Sequence, residues 1–457
     1  MSVSTTFSSF YVGNYNIKMG HVNGKGKGIQ RYKLNEMNGE ISVASTPQDA
    51  GINPTFLCYD DNILYVVNEQ DKGMVKSFKV NHEDGSLKLI SNVSSKGADP
   101  CYCEIFQALG YTHKLLLIAN YSSGSTVIFK VLDGGILEEF AFYQHTMEKQ
   151  GPNLNRQEAP HAHMARPFGD KSNLQIVVPD LGLDKVLQFG LPSSKGDLKL
   201  QTSFNMKSGD GPRHIEFHPN KKFAYVVNEL SCTVTVIPFD NQNSKFAEEN
   251  VQTISSLPSD YDNSNGGNTC AHIQMHPNAK FLYVSNRGGK TGQHHSIAVF
   301  TANDLGNSLT LSSSTYFKKG KEPRAFSISP SGNYIVVAWQ DTDYLSSYQL
   351  NLEGNGELIF KHEIESLTPV VVAWVRDDDD SSKSKMKSKK KKGKEKKSTA
   401  DKAKDDTDVQ VKKKEVRDDD DGFVLVKKEE EEEEEEEKMS NKKKKKKKKK
   451  KKAPKID

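Results

Sequence analysis

The stretch AYVVN at residues 224–228 is a short apolar strand that ends in a polar residue, and the chain repeats this pattern six more times, with Trp339 in the polar position of the last copy. The other copies are FYVGN (10–14), LYVVN (64–68), LLIAN (116–120), IVVPD (176–180), LYVSN (282–286) and IVVAW (335–339). A second strand, ending in an aromatic or apolar residue, follows each copy. Strand repeats spaced by roughly 40 to 60 residues are typical of a β-propeller.

A further strand precedes the repeated strand in most copies, and a proline introduces it. The introducing stretches are NPTF, DPCY, APHA, GPRH, EPRA and TPVV, with CAHI in their place in the sixth blade. Proline suits the first residue of a strand because its missing N–H group is not needed there. Glycine turns at Gly39, Gly85, Gly196 and Gly356 lead into another strand, which gives four strands in each blade.

The two ends of this repeat pattern complement each other. The first repeated strand has no introducing strand before it, and the last introducing strand, TPVVVAWV (368–375), has no repeated strand after it. We therefore predict that residues 1–375 form an all-β, seven-bladed β-propeller closed by the C-terminal strand, which completes the first blade. Alternating strands alone leave a pair of β-sandwiches as the alternative.

The last part of the chain, residues 376–457, has a composition that cannot bury a core. It contains 32 Lys and Arg against 24 Asp and Glu, with homopolymer runs at 429–437 and 442–452. We predict a disordered, low-complexity tail. Three interpretations of its lysine run are open: contact with nucleic acid or another polyanion, a nuclear address, or a solvated segment without a partner.

Residues 1–375 carry 32 basic and 36 acidic side chains, which argues against a nucleic-acid surface on the folded part. Five cysteines without a CxxC pair favour a reducing compartment and argue against a zinc site. The N-terminus lacks the blocks of a signal peptide, and no apolar run reaches the roughly 20 residues that cross a bilayer. We expect a soluble, cytoplasmic protein without membrane contact, with the nucleus as the alternative that the tail leaves open.

Equivalent positions of the repeats form rings around the propeller axis, and two of these rings are rich in charged residues. The position after the introducing proline, together with the one after Ala271 in the sixth blade, holds Thr55, Cys101, His161, Arg213, His272 and Arg324. The position after the repeated strand holds Tyr15, Glu69, Tyr121, Leu181, Glu229, Arg287 and Gln340. Both positions lie at the same edge of an antiparallel blade, so we expect these side chains to converge at one mouth of the channel.

A histidine and a glutamate beside several arginines combine proton transfer with binding of a carboxylate or phosphate. Opening a lactone needs both, because negative charge develops on the carbonyl oxygen while a base activates water. The alternative is that the charged pairs only join neighbouring blades. No glycine-rich nucleotide loop or G-x-S-x-G motif is present, and no cysteine stands near His161 and His163, so we expect neither a cofactor nor a metal.

Five stretches resemble the lactonase propellers, a family that includes cycloisomerase-type 6-phosphogluconolactonases and carboxy-cis,cis-muconate cyclases. They are RQEAPHAH (156–163), GPRHIEFHPN (211–220), YVVNEL (225–230), HPNAKFLYVSNR (276–287) and PRAFSISPSGNY (323–334). The resemblance implies a metal-independent reaction with His161 or Glu229 as general acid or base. It also implies that Arg213 and Arg287 hold anionic groups of the substrate.

The resemblance implies a hydrolase that opens a small anionic lactone, 6-phosphogluconolactone, to 6-phosphogluconate in the pentose phosphate pathway. We expect substrate-binding contacts from Arg324 and His272, which suit its phosphate, and from Glu69 and Gln340. Two alternatives stay open: a cyclase that forms a lactone from a muconate, and a non-catalytic propeller that binds a partner at its mouth. The sequence does not predict the oligomeric state.

Overall fold

The computed structural model describes residues 7–169, 173–261, 263, 267–288 and 294–375. The predicted tail, residues 376–457, lies outside this part of the chain. This part of the chain forms seven separate β-sheets. The 3₁₀ helix Asp133–Gly135 connects two neighbouring strands of one of these sheets. The described ranges hold no helix that is long and apolar enough to span a membrane.

The strands of blades 2 to 7 follow one another in chain order from the channel outward. Blade 1 contains β1 (Phe7–Asn14), β2 (Gln30–Asn35) and β3 (Ile41–Val43). Blade 2 contains β4 (Pro54–Asp60), β5 (Ile63–Asn68), β6 (Met74–Val80) and β7 (Leu87–Ser94). Blade 3 contains β8 (Pro100–Phe106), β9 (Lys114–Asn120), β10 (Ser125–Val131) and β11 (Leu137–Gln144).

Blade 4 contains β12 (Arg166–Phe168), β13 (Gln175–Asp180), β14 (Lys185–Gly190) and β16 (Leu200–Asn205), while β15 (Gly196–Asp197) pairs with β11. Blade 5 contains β17 (Pro212–Phe217), β18 (Phe223–Asn228), β19 (Thr233–Asp240), β20 (Lys245–Phe246) and β21 (Gln252–Ser255). Blade 6 contains β22 (Thr269–Met275), β23 (Phe281–Arg287), β24 (Ser296–Ala302) and β25 (Leu309–Tyr316). Blade 7 contains β26 (Pro323–Ile328), β27 (Tyr334–Trp339), β28 (Tyr344–Leu350) and β29 (Leu358–Glu365), and β30 (Pro369–Trp374) follows.

The ring closes as the sequence predicts. Strand β30 pairs antiparallel with β1, with Phe10 opposite Trp374 and Val12 opposite Val372, so the two ends of the repeat pattern share blade 1. The inner strand β30 in turn contacts the inner strands β26 and β4 of the neighbouring blades. Closure of this kind leaves only the short outer edges of the blades unpaired. The predicted seven-bladed β-propeller is confirmed.

The repeated strand is apolar because it is the second strand of each blade and is covered on both faces. In blades 1, 5 and 6 its tyrosine hydroxyl donates a hydrogen bond of 2.8–3.0 Å to a turn glycine of the next blade. These pairs are Tyr11 with Gly85, Tyr225 with Gly306 and Tyr283 with Gly356. The three glycines have φ near +76°, which disfavours other residues. Gly196 does not form such a turn, because it lies in the edge strand β15 of blade 3.

Six inner strands contain a β-bulge close to their first residue, and the bulge decides which side chains reach the channel mouth. In blade 5, Pro212 lies opposite Asn228 and His214 opposite Val227, so Arg213 has no direct partner. A bulge re-aims the side chain of its extra residue. The residues that hold this position are Thr55, Cys101, Arg213, Ala271, Arg324 and Val370.

Blades 4 and 6 depart from the predicted register. In blade 4, Ala162 bridges Asp180, the counterpart of Asn228, and β12 begins only at Arg166. Ala162 therefore takes the place that prolines hold elsewhere, and His163 follows it at the bulge position. The prediction that placed His161 there was wrong by two residues, because Pro160 does not start the strand.

In blade 6 the error is one residue. Cys270 lies opposite Asn286, the counterpart of Asn228, so Ala271 occupies the bulge position directly after it. His272 comes one residue later, and its backbone N–H donates to the Ser285 hydroxyl at 2.9 Å. No proline marks the start of this strand, and the sequence pattern alone therefore placed His272 in the wrong ring.

Candidate active site

A cavity of about 430 Å³ opens where the bulges and the ends of the second strands meet. Both predicted rings contribute to its wall, together with residues from two connections outside the blades. Its charged and titratable lining side chains include His21, Glu69, Asp99, Arg156, His163, Glu229, Arg287, Glu322 and Arg324. Acidic and basic groups thus share the wall of a space that is large enough for a small sugar acid.

Glu229 is the centre of the densest charge cluster in this cavity. It follows β18 directly, and its side chain is only 3% exposed. Its Oε1 atom lies 2.6 Å from Arg156 Nη2 and 3.1 Å from Arg287 Nη2, and its Oε2 atom lies 2.9 Å from Arg213 Nε. Three guanidinium groups therefore surround a single carboxylate.

The three arginines determine the charge of Glu229. Burial alone would raise the pKa of its carboxyl, but Arg156, Arg287 and Arg213 hold that pKa well below its usual range. Burial lowers the pKa of Arg213 to about 9, which still leaves this guanidinium charged at neutral pH. The cluster thus combines one anion with three cations, and this excess of positive charge favours an anionic ligand.

The backbone of blade 6 fixes two of these arginines. Arg213 Nη1 donates to the carbonyl of Ala271 at 2.5 Å, and Arg287 Nη2 donates to the carbonyl of Cys270 at 3.0 Å. Both acceptors belong to β22, so the rigid inner strand sets the position of both guanidinium groups. Preorganised charges of this kind are what catalysis of acyl transfer needs.

A second group of charges lies around Arg324. Its guanidinium lies over the ring of Tyr15, 5.3 Å from the centroid, and its Nη2 atom is 3.8 Å from Glu69 Oε2. Glu69 takes closer hydrogen bonds from the hydroxyls of Tyr15, at 2.5 Å, and Thr55, at 2.8 Å. Among the described residues, Arg324 has no hydrogen-bond acceptor, which leaves its N–H groups available to a ligand.

His161 and His163 have different surroundings. The ring of His161 stacks on Tyr121, with centroids 4.4 Å apart, and its Nε2 atom lies 3.1 Å from Glu158 Oε1. It does not line the cavity, whereas His163 does. Burial and the charge of Arg213 lower the pKa of His163 well below its usual value, so this imidazole is neutral.

Two further predicted residues lie away from the cavity wall. His272 faces His214, with 3.1 Å between their Nδ1 atoms, and its ring packs against Phe326. Gln340 is buried, and its side-chain amide donates to Asp341 Oδ1 at 2.9 Å. Neither side chain lines the cavity.

The cavity contains residues that the repeat pattern did not single out. Arg156 lies in the connection between β11 and β12, and His21 lies between β1 and β2. Asp99 and Glu322 precede the introducing prolines of DPCY and EPRA, with φ of 50° and 55°. The position before the proline was the available signal for the two acids, and RQEAPHAH was the signal for Arg156.

Cys101 lines the cavity but is not prepared to act as a nucleophile. Its Sγ atom lies 3.6 Å from His163 Nδ1 and 3.4 Å from the His163 carbonyl. Burial and the charge of Glu69 raise the pKa of the thiol far above neutral pH, and the thiolate is the reactive form. The arrangement therefore favours attack by water over a covalent intermediate on sulfur.

The chain matches the family model described as "Lactonase, 7-bladed beta-propeller" over residues 9–374. It is 30% identical to a 6-phosphogluconolactonase from Bacillus subtilis over 370 residues, which cover 80% of this chain and 97% of the relative.

Two solved structures share the fold. A putative 6-phosphogluconolactonase from Bacteroides fragilis has a TM-score of 0.69 and 27% identity, covering 82% of this chain and 100% of that one. A periplasmic gluconolactonase from Pseudomonas aeruginosa has a TM-score of 0.68 and 25% identity, covering 81% of this chain and 99% of that one. The chain belongs to the lactonase family of seven-bladed β-propellers.

Proposed function

We propose that this cavity hydrolyses a sugar-acid lactone and that the substrate is 6-phosphogluconolactone, which is opened to 6-phosphogluconate. The cluster of three guanidinium groups around the ionised Glu229 carries the proposal, because it places a base beside charges that stabilise an oxyanion. The similar 6-phosphogluconolactonase from Bacillus subtilis supports this choice of substrate. The reaction would place the protein in the pentose phosphate pathway of the cytoplasm.

In the proposed reaction, Glu229 is the general base. Water adds to the lactone carbonyl carbon while Glu229 accepts a proton from that water, and the carbonyl oxygen becomes an oxyanion. Arg287 stabilises the oxyanion because its guanidinium already lies at Glu229 Oε1. The tetrahedral intermediate then expels the ring oxygen, which takes the proton from Glu229 and leaves as a hydroxyl group.

Arg324 and His21 are placed to bind the phosphate of this substrate. Arg324 is the arginine of the cavity whose N–H groups lack an acceptor among the described residues, and a phosphate can accept two of them at once. Burial and the charges of Arg324 and Arg287 lower the pKa of His21 to about 4. Its neutral imidazole can still donate one hydrogen bond to a phosphate oxygen.

The test is hydrolysis of freshly prepared 6-phosphogluconolactone by the full chain, corrected for spontaneous opening. We expect Glu229→Gln and Arg287→Ala to reduce kcat by roughly 10²-fold or more. Glu216→Gln is the matched control, because Glu216 pairs with Arg166 at 2.9 Å and does not line the cavity. A wild-type rate no higher than the background would overturn the proposal, and turnover of a carboxymuconate would replace it with the cyclase.

A further inference from the structure

Arg156 differs from the other two arginines around Glu229 in its origin and its exposure. It lies in the connection between β11 and β12, whereas Arg213 and Arg287 belong to strands of blades 5 and 6. Its side chain is 35% exposed, against 3% for Arg213 and 11% for Arg287. Of the three guanidinium groups, that of Arg156 is the most accessible to a ligand in the cavity.

Arg156 and Arg287 converge on the same atom. Both place Nη2 within 3.1 Å of Glu229 Oε1, while Glu229 Oε2 is left to Arg213. Both also line the cavity, so an oxygen atom of a ligand next to Oε1 comes within reach of two guanidinium groups. The second contact of Arg156 Nη2 is the hydroxyl of Tyr121 at 3.1 Å, which is uncharged and holds the guanidinium less firmly than a carboxylate does.

The backbone beside Arg156 is fixed, which limits its movement to the side chain. Gln157 is fully buried, its Nε2 atom donates to the Leu181 carbonyl at 3.0 Å, and its backbone N–H donates to the Asn153 carbonyl at 2.7 Å. Arg156 can therefore reorient while its attachment point stays in place.

We infer that Arg156 is a catalytic residue that follows the negative charge during lactone hydrolysis. When Glu229 takes the proton from the attacking water, the negative charge passes from the carboxylate to the lactone carbonyl oxygen. Arg156 then releases Glu229 Oε1 and donates to this oxyanion together with Arg287, and it returns to Glu229 when the ring oxygen removes the proton. This role rests on the proposed function, because it belongs to the same reaction.

The charged and titratable groups that face Glu229 come from several elements. They are Arg156, Arg213, Arg287, Arg324, His163, Tyr121 and Cys232. Arg213 donates from Nη1 to the Ala271 carbonyl, and its Nε atom lies next to Glu229 Oε2. Arg324 lies beside Glu69. Arg156 is the member that combines exposure, a direct contact with Oε1 and a position outside the rigid blades.

The test compares kcat and KM of full-length Arg156→Gln and Arg156→Lys with those of the wild type on 6-phosphogluconolactone. We expect Arg156→Gln to lower kcat by roughly 10²-fold with KM changed less than about threefold, because the contact forms only as the oxyanion develops. Arg156→Lys keeps the charge and should recover about tenfold of that loss. Lys149→Gln removes one charge from the same connection and should leave both constants unchanged.

Inorganic phosphate serves as the binding probe, measured as competitive inhibition and by calorimetry. We expect Arg156→Gln to bind phosphate like the wild type and Arg324→Gln to bind it at least about tenfold more weakly.

An unchanged kcat in Arg156→Gln, or a rise in KM alone, would overturn the role of Arg156 and leave the lactonase proposal standing. If Arg156→Gln does not fold, Arg156→Lys and Arg156→Met are compared in its place. A kcat about tenfold below the wild type in Arg156→Lys and a larger loss in a folded Arg156→Met support the inference, and a wild-type kcat in both overturns it. A wild-type protein without activity rejects the proposed function itself.

Discussion

Arg287 Nη2 lies 3.1 Å from Glu229 Oε1, across the boundary between blades 6 and 5. The pair joins two blades and also lines the cavity, so the structural and the functional interpretations of these charges are compatible. Removing one partner of a buried pair leaves the other charge without compensation. The site and the stability of the ring therefore depend on the same residues.

Replacing Glu229 should destabilise the propeller as well as inactivate it. Glu229→Gln leaves three guanidinium groups close together around a neutral amide, and we expect a loss of about 3 kcal/mol in the free energy of unfolding. Denaturant unfolding followed by tryptophan fluorescence measures this loss. Glu216→Gln leaves Arg166 its second partner, Glu104, and should cost less; equal losses in both variants would contradict the expectation.

The stability of the protein should fall at acid pH partly because of Glu229. Its pKa in the folded protein lies well below the value of the unfolded chain, near 4.5. The stabilisation is therefore present above the unfolded pKa and is lost as the pH falls through the folded pKa. We expect the wild-type unfolding midpoint to drop more steeply than that of Glu229→Gln below about pH 4.5. Parallel curves for the two proteins would show that Glu229 is not the group concerned.

His163 should matter more for activity than His161. His163 lines the cavity, whereas the His161 ring stacks on Tyr121 and does not line it. We expect His163→Leu to lower kcat/KM by about tenfold or more and His161→Leu to lower it less than about threefold, by analogy with the loss of one polar contact to the substrate. Steady-state kinetics on the lactone, with melting temperatures as a check on folding, distinguish the two. The reverse order would favour the role that the family resemblance implies for His161.

The closing strand should be indispensable, and the tail should not. A chain that ends at residue 367 lacks β30 and exposes the edge of β1, so we expect it to be insoluble or unfolded. A chain that ends at residue 375 keeps every described strand and should retain wild-type kcat. Circular dichroism and lactone hydrolysis measure both. Loss of folding in the longer chain would contradict the proposed domain boundary.

Repetition explains which parts of this structure the sequence could predict. Arg213 and Arg324 were found because both hold the bulge position of their inner strand, and Glu229 and Arg287 because both lie at the end of the second strand. The fold brings equivalent positions of the blades together. His161 was misplaced because Pro160 resembles the prolines of other blades but does not start a strand.

Sequence reasoning missed other cavity residues for a different physical reason. Arg156 and His21 lie in connections that occur once, so no other blade shows where their backbones lead. Gln340 holds the predicted ring position, but its amide bonds to the neighbouring Asp341 and not to the cavity. A ring position fixes the Cα atom, and local hydrogen bonds then decide where the side chain lies.

The pairing of β30 with β1 also sets the order in which the protein matures. Blade 1 combines β1, which is synthesised before the other six blades, with β30, which is synthesised after them, so the ring stays open until β30 is made. Cavity residues such as His21 and Glu322 come from the first and the seventh blade and meet only after closure. The nascent protein therefore has no complete cavity, and the ability to bind substrate arises at a single late event rather than blade by blade.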